Sequence, residues 1–281
     1  NNNNNLGKHM CWSGEASAVM ALIGITGSCL EARKSFIYPS EVGGGTEWQV
    51  EGLSGKHNLR ASTLAYFSLM ELLQAFNYVT LDIVDSYNAL YSLLGFIHIS
   101  FQPLFITWFC LSFIPRKRRM YWMTPTTFLS AAVSFIFLCG LIVNPSLPGC
   151  FATHCEPLSD ISLLMQNSQL ASCSATEFVS FRGDWHIAWQ WASNSCQFTR
   201  NSYFVIAFFL PMLFGAYRVM LFSLVFGPLL SLMLTNNPHE LAAIWCLLSI
   251  GFLSAVKIPW IEQLLTSKHG SWKECFASFK S

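Results

Sequence analysis

Seven long apolar stretches, separated by shorter polar segments, constrain this chain more than any other feature. A helix that crosses the roughly 30 Å hydrocarbon core of a bilayer needs about 20 mostly apolar residues. The stretches are continuous and lack the alternation of membrane β-barrel strands, so they predict helices. They occupy residues 17–32, 62–81, 89–113, 125–143, 203–217, 219–234 and 241–256. The sequence therefore predicts an all-α, polytopic membrane protein with seven transmembrane helices.

Composition also indicates a lipid environment. The chain is 53% hydrophobic and only 11% charged, which is too apolar for an ordinary soluble domain of 281 residues. The net charge is +1 and the basic residues are scattered, which argues against nucleic acid as a partner. The predicted partners are the lipid bilayer and a small-molecule or lipid ligand, and the oligomeric state stays open.

Lys and Arg near the span ends predict the orientation, because these residues favour the cytoplasmic side. With the N-terminus outside and the C-terminus in the cytoplasm, 13 of the 16 basic residues fall on the inner side. Only an odd number of spans produces this segregation. We expect residues 1–9 to be a cloning remnant, residues 10–260 to form the seven-helix domain and residues 261–281 to be a cytoplasmic tail.

The polar segment 144–201 is predicted to be an outer loop in an oxidising or extracytoplasmic compartment. Such a compartment favours disulfides among its four cysteines, with three pairings open and free thiols as the alternative. These cysteines are Cys150, Cys155, Cys173 and Cys196. The loop also carries aromatic residues typical of a membrane interface, namely Trp185, Trp189 and Trp191.

Polar residues inside the apolar stretches are candidate functional groups, because a titratable side chain at membrane depth is costly. Glu71 lies near the middle of the second stretch, with Gln74 on the same helical face. His98 and Gln102 share a face of the third stretch, beside a kink expected at Pro103. Because a short turn joins the two helices, we expect Glu71 and His98 to meet. Such a pair either fixes helix register or takes part in catalysis or ligand binding.

A second candidate cluster is predicted where helix ends emerge on the outer side. Carboxylates and imidazoles there can bind a metal or act as acid and base above a cavity. The candidate ligands of a divalent metal such as zinc are Glu15, His186, His239 and Glu240. Alternatively, Glu240 complements a helix N-terminus. Taken together, the candidate catalytic groups of the two clusters are Glu71, His98, Gln102, Asp184 and His186.

Five strings that span nearly the whole chain carry a family resemblance. They are MCWSGEAS, LAYFSLMELLQAFNY, LLGFIHISFQPLF, GDWHIAWQ and TNNPHELAAIWCLLSIGFL. The chain resembles an uncharacterised family of bacterial and algal multi-pass membrane proteins that open with Met-Cys-Trp-Ser. The resemblance implies a seven-helix domain but no established activity. It draws attention to Cys11, Glu15, Glu71, His98, Gln102, His186 and Glu240.

Three functions are compatible with these patterns. The first is a metal-assisted hydrolase or lipid-modifying enzyme that activates water in an outward-facing cavity. The second is a small-molecule or ion transporter or sensor with a protonatable Glu-His site. The third is a haem or pigment carrier with His98 as an axial ligand. A retinal pigment is disfavoured, because Lys257 lies where its side chain reaches the cytoplasmic surface.

Overall fold

A computed structural model describes residues 12–37, 54–81, 86–139, 150–151, 178–191, 195–196, 202–237 and 239–266. Most of these residues are helical. The helices before residue 140 are α1 (Gly14–Ile37), α2 (Lys56–Asn77), α3 (Ser86–Ser100), α4 (Gln102–Leu111) and α5 (Arg116–Leu138). The later helices are α6 (Ser202–Leu213), α7 (Tyr217–Leu234), α8 (Leu241–Ser249), α9 (Phe252–Lys257) and α10 (Pro259–Leu265).

The segment between α5 and α6 departs from the predicted all-α fold, because it contains short strands. These are β1 (Cys150–Phe151), β2 (Val179–Arg182), β3 (Ile187–Gln190) and β4 (Ser195–Cys196). Strands β2 and β3 form an antiparallel hairpin in which Arg182 lies opposite Ile187. Strands β1 and β4 pair with Cys150 opposite Cys196.

The described part of the chain contains no disulfide, so the disulfide prediction gains no support. Cys155 and Cys173 lie outside the described residues, as do the side chains of Cys150 and Cys196. Among the described residues, the pairing of β1 with β4 is therefore the only structural observation that brings two of these four cysteines together.

Four helical segments among the described residues are long and apolar enough to cross a membrane, which is consistent with an integral membrane protein. They are Gly14–Ser35, Ser86–Leu111, Arg116–Leu138 and Tyr217–Leu234. Leu241–Lys257 and Pro259–Leu265 together make a fifth such segment, with a bend of 97° between them. The predicted windows 62–81 and 203–217 overlap α2 and α6. Helix α6 is too short to qualify, and α2 carries too many polar residues.

The surface of the first, fifth and seventh helices is apolar. Among its exposed side chains, Leu22 of α1 is 65% exposed, Phe128 of α5 is 76% exposed and Met233 of α7 is 81% exposed. Large exposed apolar side chains on several helices are expected where lipid tails are the solvent.

Helix α2 packs most extensively against α1, and small residues of α1 make that contact possible. A stripe at heptad-like spacing faces inward and is buried, consisting of Ser17, Ala21, Gly24, Ser28, Glu31 and Ser35. A Cβ atom on Gly24 would lie 2.0 Å from the Ser68 hydroxyl oxygen of α2, so only glycine permits this approach. The Ser28 hydroxyl donates to the Ala61 carbonyl across the same interface at 2.8 Å. Close packing over small residues is the usual way in which membrane helices associate.

The third apolar stretch is interrupted at Phe101, which separates α3 from α4. Pro103 occupies the first turn of α4, where its missing N–H costs nothing. The helix is therefore interrupted beside the proline where a kink was expected, immediately before the candidate residue Gln102.

The bundle has two distinct ends. At the hairpin end, the start of α1 and the end of α2 meet the β2–β3 hairpin, through contacts of His186 with Trp12 and Tyr78. At the charged end, the end of α1 and the start of α2 meet α9 and α10, through ion pairs that include Glu31 and Glu262. The hairpin end corresponds to the predicted outer side, and the charged end to the predicted inner side.

Candidate functional site

A carboxylate and an amide without partners lie inside the bundle on α2. Glu71 and Gln74 are three residues apart on one helical face and are fully buried. Both carboxylate oxygens of Glu71 and both amide atoms of Gln74 lack a hydrogen-bond partner among the described residues. The Ser17 hydroxyl accepts a hydrogen bond from the Trp12 indole at 2.8 Å and lies beside Glu71, where it interacts with the carboxylate without reaching hydrogen-bond geometry.

These four unpaired atoms need a partner that the described part of the protein does not provide. An unsatisfied buried polar group costs about 1–3 kcal/mol, and a charged one costs more. Natural proteins seldom leave such groups unpaired unless a water molecule, an ion or a ligand completes them. The inner face of α2 is therefore the strongest candidate for a binding site.

Gln102 lies at the border of this site, and each polar atom of its side chain has a protein partner. Its carbonyl oxygen accepts a hydrogen bond from the Tyr203 hydroxyl at 2.6 Å, and its amide donates to the Cys246 sulfur at 3.0 Å. The Tyr203 hydroxyl also reaches the Ile99 carbonyl at 3.0 Å. The Cys246 thiol is close enough to Glu71 to interact electrostatically. Gln102 thus ties α4 to α6 and α8 beside Glu71, which gives it a structural role at the border of the site.

His98 does not pair with Glu71, so the expected contact is absent. The imidazole stacks on the Tyr66 ring, with centroids 3.8 Å apart, and the Tyr66 hydroxyl donates to the His98 carbonyl oxygen. Within the described ranges, the Nε2 atom of His98 has no hydrogen-bond partner, and neither has either oxygen of Glu71. The physical reason is local, because Tyr66 of α2 covers the face of the imidazole and holds His98 by its backbone.

His186 of the hairpin faces the interior from the hairpin end. Its Nδ1 atom accepts a hydrogen bond from the Ile187 N–H at 2.7 Å and lies 3.3 Å from the Tyr78 hydroxyl. Because Nδ1 is an acceptor, the proton of the neutral ring sits on Nε2, which is buried and meets no hydrogen-bond partner in the part of the chain that the structure describes. Burial lowers the pKa of His186 to about 3, so the ring is neutral near pH 7. Tyr78 also interacts electrostatically with Glu71 and thereby links the two residues.

Glu240 anchors the tip of the hairpin rather than its own helix. The carboxylate accepts hydrogen bonds from the Thr235 hydroxyl at 2.6 Å, from the Trp185 N–H at 3.2 Å and from the Asp184 N–H. Although Glu240 occupies the N-cap position of α8, its side chain does not cap that helix. A Cβ atom on Gly183 would lie 1.5 Å from the carboxylate, so the close approach requires glycine. Burial is the main influence on Glu240 and raises its pKa.

The predicted metal ligands are not gathered at one point. No three His, Cys, Asp or Glu side chains within the described ranges are arranged to hold an ion. Glu15 is exposed at the start of α1, whereas His186 and Glu240 are buried in separate surroundings. His239 pairs with the hairpin, because its Nδ1 atom lies 3.0 Å from the Trp189 carbonyl oxygen, and burial lowers its pKa. The backbone of Asp184 contacts Glu240, and its side chain is exposed.

The predicted interfacial position is wrong for Trp189, which belongs to the interior. The residue is 3% exposed, and its ring lies 3.4 Å from the position of a Cβ atom on Gly95 of α3. Its backbone N–H donates to the His239 carbonyl oxygen at 3.0 Å. Trp191 packs edge-on against Phe96 with ring centroids 5.4 Å apart. The hairpin folds back onto α3 and α8 and carries these rings into the bundle.

The charged end contains a buried network that sequence analysis did not identify. Glu31 is fully buried, and its carboxylate lies 2.6 Å from His57 Nδ1, 3.0 Å from Lys34 Nζ and 3.4 Å from Lys257 Nζ. Arg60 lies 3.8 Å from the same carboxylate. The network therefore joins α1, α2 and α9 at this end of the bundle.

Arg60 extends the same network to α10 and to the end of α4. Its guanidinium contacts Glu262 at 2.6 Å and the Ser112 hydroxyl at 3.3 Å, and it lies 4.3 Å above the Phe113 ring. Sequence analysis counted Arg60 only among the basic residues that set orientation. The sequence contains one signal of this network, because Glu31 is the acidic residue on the otherwise small-residue stripe of α1.

The geometry defines the class of protein. It is a helical bundle of the membrane type, with a polar site in its interior and a β-hairpin that covers this site. The chain belongs to DUF5765, a family of unknown function that matches residues 42–266. A search of curated proteins and a search of solved structures each found no match. The family assignment agrees with the resemblance to an uncharacterised family.

The neutral state of His186 predicts a specific pH dependence of stability. Below its ordinary pKa of 6.5 the unfolded chain takes up a proton on this residue, but the folded chain does not until about pH 3. Its contribution to folding therefore falls as pH drops from 6.5 towards 3, by about 1.4 kcal/mol per pH unit at most. Thermal unfolding of detergent-solubilised protein should show a smaller loss between pH 7.5 and pH 5 for His186→Gln than for the unsubstituted chain. Parallel pH profiles would contradict the assignment.

Proposed function

We propose that this protein is a seven-span membrane protein that binds a small polar molecule inside its bundle at Glu71 and Gln74, as a transporter or ligand sensor. The observation that carries the proposal is the set of four buried, unpaired polar atoms on the inner face of α2. Polar groups of this kind within a membrane bundle usually mark a ligand or ion pathway.

The chemistry of the site favours a ligand that donates hydrogen bonds. A carboxylate offers only acceptors when ionised, while the Gln74 amide offers one acceptor and two donor hydrogens. An amine or hydroxyl group satisfies Glu71, and a neighbouring polar group of the same molecule pairs with the amide. The Nε2–H of His186 and the indole N–H of Trp189 are further buried donors that find no acceptor among the described residues.

Access to the site is proposed from the hairpin end. Trp12 and Tyr78 line a surface groove there and also contact the interior, through Ser17 and His186 respectively. Movement of these two rings would open a route from the surface to Glu71. A metal-assisted hydrolase has less support, since the predicted ligands Glu15, His186, His239 and Glu240 do not converge in the described residues.

A pair of matched glutamine variants tests the binding role without knowledge of the ligand. Gln74 and Gln102 are both fully buried, but only Gln102 has protein partners. Gln74→Leu removes unsatisfied atoms, so ligand-free protein should unfold at an equal or higher temperature. Gln102→Leu removes two buried hydrogen bonds, those with Tyr203 and Cys246, each worth about 0.5–1.5 kcal/mol, so it should be destabilising. Equal destabilisation by the two substitutions would make Gln74 a structural residue.

Substitution of Glu71 should abolish the increase in unfolding temperature that a bound ligand causes. A thermal-shift panel of small amines, amino acids and polyols provides the probes, because these classes carry the donors that the site lacks. Any compound that stabilises the unsubstituted protein should fail to stabilise Glu71→Gln. A shift that persists in this variant would place the ligand elsewhere.

The proposed topology puts the hairpin end outside and the charged end in the cytoplasm. Asn236 and Arg116 are exposed near the two respective ends. In intact cells, a membrane-impermeant maleimide should label Asn236→Cys, and it should label Arg116→Cys only after permeabilisation. The unsubstituted protein provides the background for its native cysteines. The reverse pattern would overturn the orientation, and labelling of both sites from outside would contradict the three spans that the proposal places between them.

A further inference from the structure

A groove of about 750 Å³ opens on the surface where α1 begins and α2 ends. One wall is apolar and is formed by Ala18 of α1, by Leu72 and Phe76 of α2 and by Val79 in the turn that follows α2. Phe76 is 55% exposed and Val79 is 78% exposed, so the wall is open along its length. Leu72 and Phe76 lie on a different face of α2 from Glu71, and the rings of Trp12 and Tyr78 line the groove on the side of the interior site.

The apolar wall continues away from the hairpin end, into the region expected to face the bilayer core. Leu69 lies one turn before Leu72 on the same side of α2 and is 54% exposed. On α1, Val19 and Leu22 follow Ala18 and are also exposed. A hydrocarbon chain that enters the groove thus finds apolar surface beyond it, whereas a compact soluble molecule would leave that surface uncovered.

The groove bears one charge of each sign at the hairpin end. Glu15 from the first turn of α1 and Arg182 from the end of β2 both line it, and both are exposed. A guanidinium binds phosphate oxygens well, and a carboxylate accepts hydrogen bonds from a primary ammonium group. The pair is therefore complementary to a zwitterion that carries both groups.

We propose that this groove binds a phospholipid with an ethanolamine headgroup. The phosphodiester contacts Arg182, the ammonium group donates to Glu15, and one acyl chain lies against Ala18, Leu72 and Phe76. A choline headgroup has the same charges, but its quaternary nitrogen has no hydrogen to donate to Glu15. A glycerol headgroup lacks the positive charge altogether. The groove should therefore prefer ethanolamine lipids over both.

Native mass spectrometry of delipidated protein tests this preference directly. Phosphatidylethanolamine, phosphatidylcholine and phosphatidylglycerol with identical acyl chains are added at equal concentration, and the bound adducts are counted. We expect ethanolamine adducts to dominate. Arg182→Gln should reduce the binding of all three lipids roughly threefold to fivefold, the range for a partly exposed ion pair. Glu15→Gln should abolish only the preference for ethanolamine over choline.

Two further variants separate this site from other sources of lipid binding. Arg33 is exposed near the opposite end of α1, so Arg33→Gln is the matched control and should leave the adducts unchanged. Glu71→Gln should also leave them unchanged, which keeps this test independent of the interior ligand site. The proposal is overturned if the three lipids bind equally, if Arg182→Gln has no effect, or if Arg33→Gln lowers binding as much as Arg182→Gln. Competition by excess inorganic phosphate would likewise overturn it, since a free anion would then suffice.

Discussion

A helix that carries Glu71, Gln74 and Asn77 along one buried face cannot stand alone in hydrocarbon, because each unpaired polar group there costs several kcal/mol. Other elements must cover that face, and much of the architecture follows from this requirement. Helix α1 approaches closely over its small-residue stripe, which glycine at position 24 makes possible. Asn77 is satisfied by the Ser180 hydroxyl of the hairpin at 2.6 Å. Glu71 and Gln74 have no hydrogen-bond partner on this face among the residues that the structure describes, and that exception marks the site.

The two ends of the bundle are closed by different means. At the hairpin end, backbone polar groups of the hairpin are satisfied by Glu240 and His239, so an irregular segment is tolerated inside a helical protein. At the charged end, the buried carboxylate of Glu31 is surrounded by basic side chains from three helices. Removal of one partner from a buried network usually leaves an uncompensated charge. Because separation of the helices would break these ion pairs, the network holds the end of α1 against the start of α2. The polar interior lies between the two closures.

The sequence contained enough information for the helices but not for their contacts. Every predicted apolar window overlaps a helix, because hydrophobic length is a local property, yet only four to five segments qualify as spans. Glu71 was identifiable because a carboxylate in an apolar stretch is conspicuous. Its supposed partner His98 was not predictable in the same way, since stacking on Tyr66 depends on the crossing of α2 and α3. The surroundings of Trp189 and Glu240 were not predictable for a similar reason, because only the folded hairpin carries Trp189 inward and brings its tip to Glu240.

The central claim is that the unpaired atoms of Glu71 and Gln74 face a partner that is not protein. An experimental density map of the protein in lipid nanodiscs, at a resolution that shows ordered water, tests it most directly. The account predicts non-protein density within hydrogen-bond distance, about 2.6–3.2 Å, of the Glu71 carboxylate and the Gln74 amide. A map in which a protein side chain such as His98 pairs with Glu71, with no additional density beside Gln74, would contradict it.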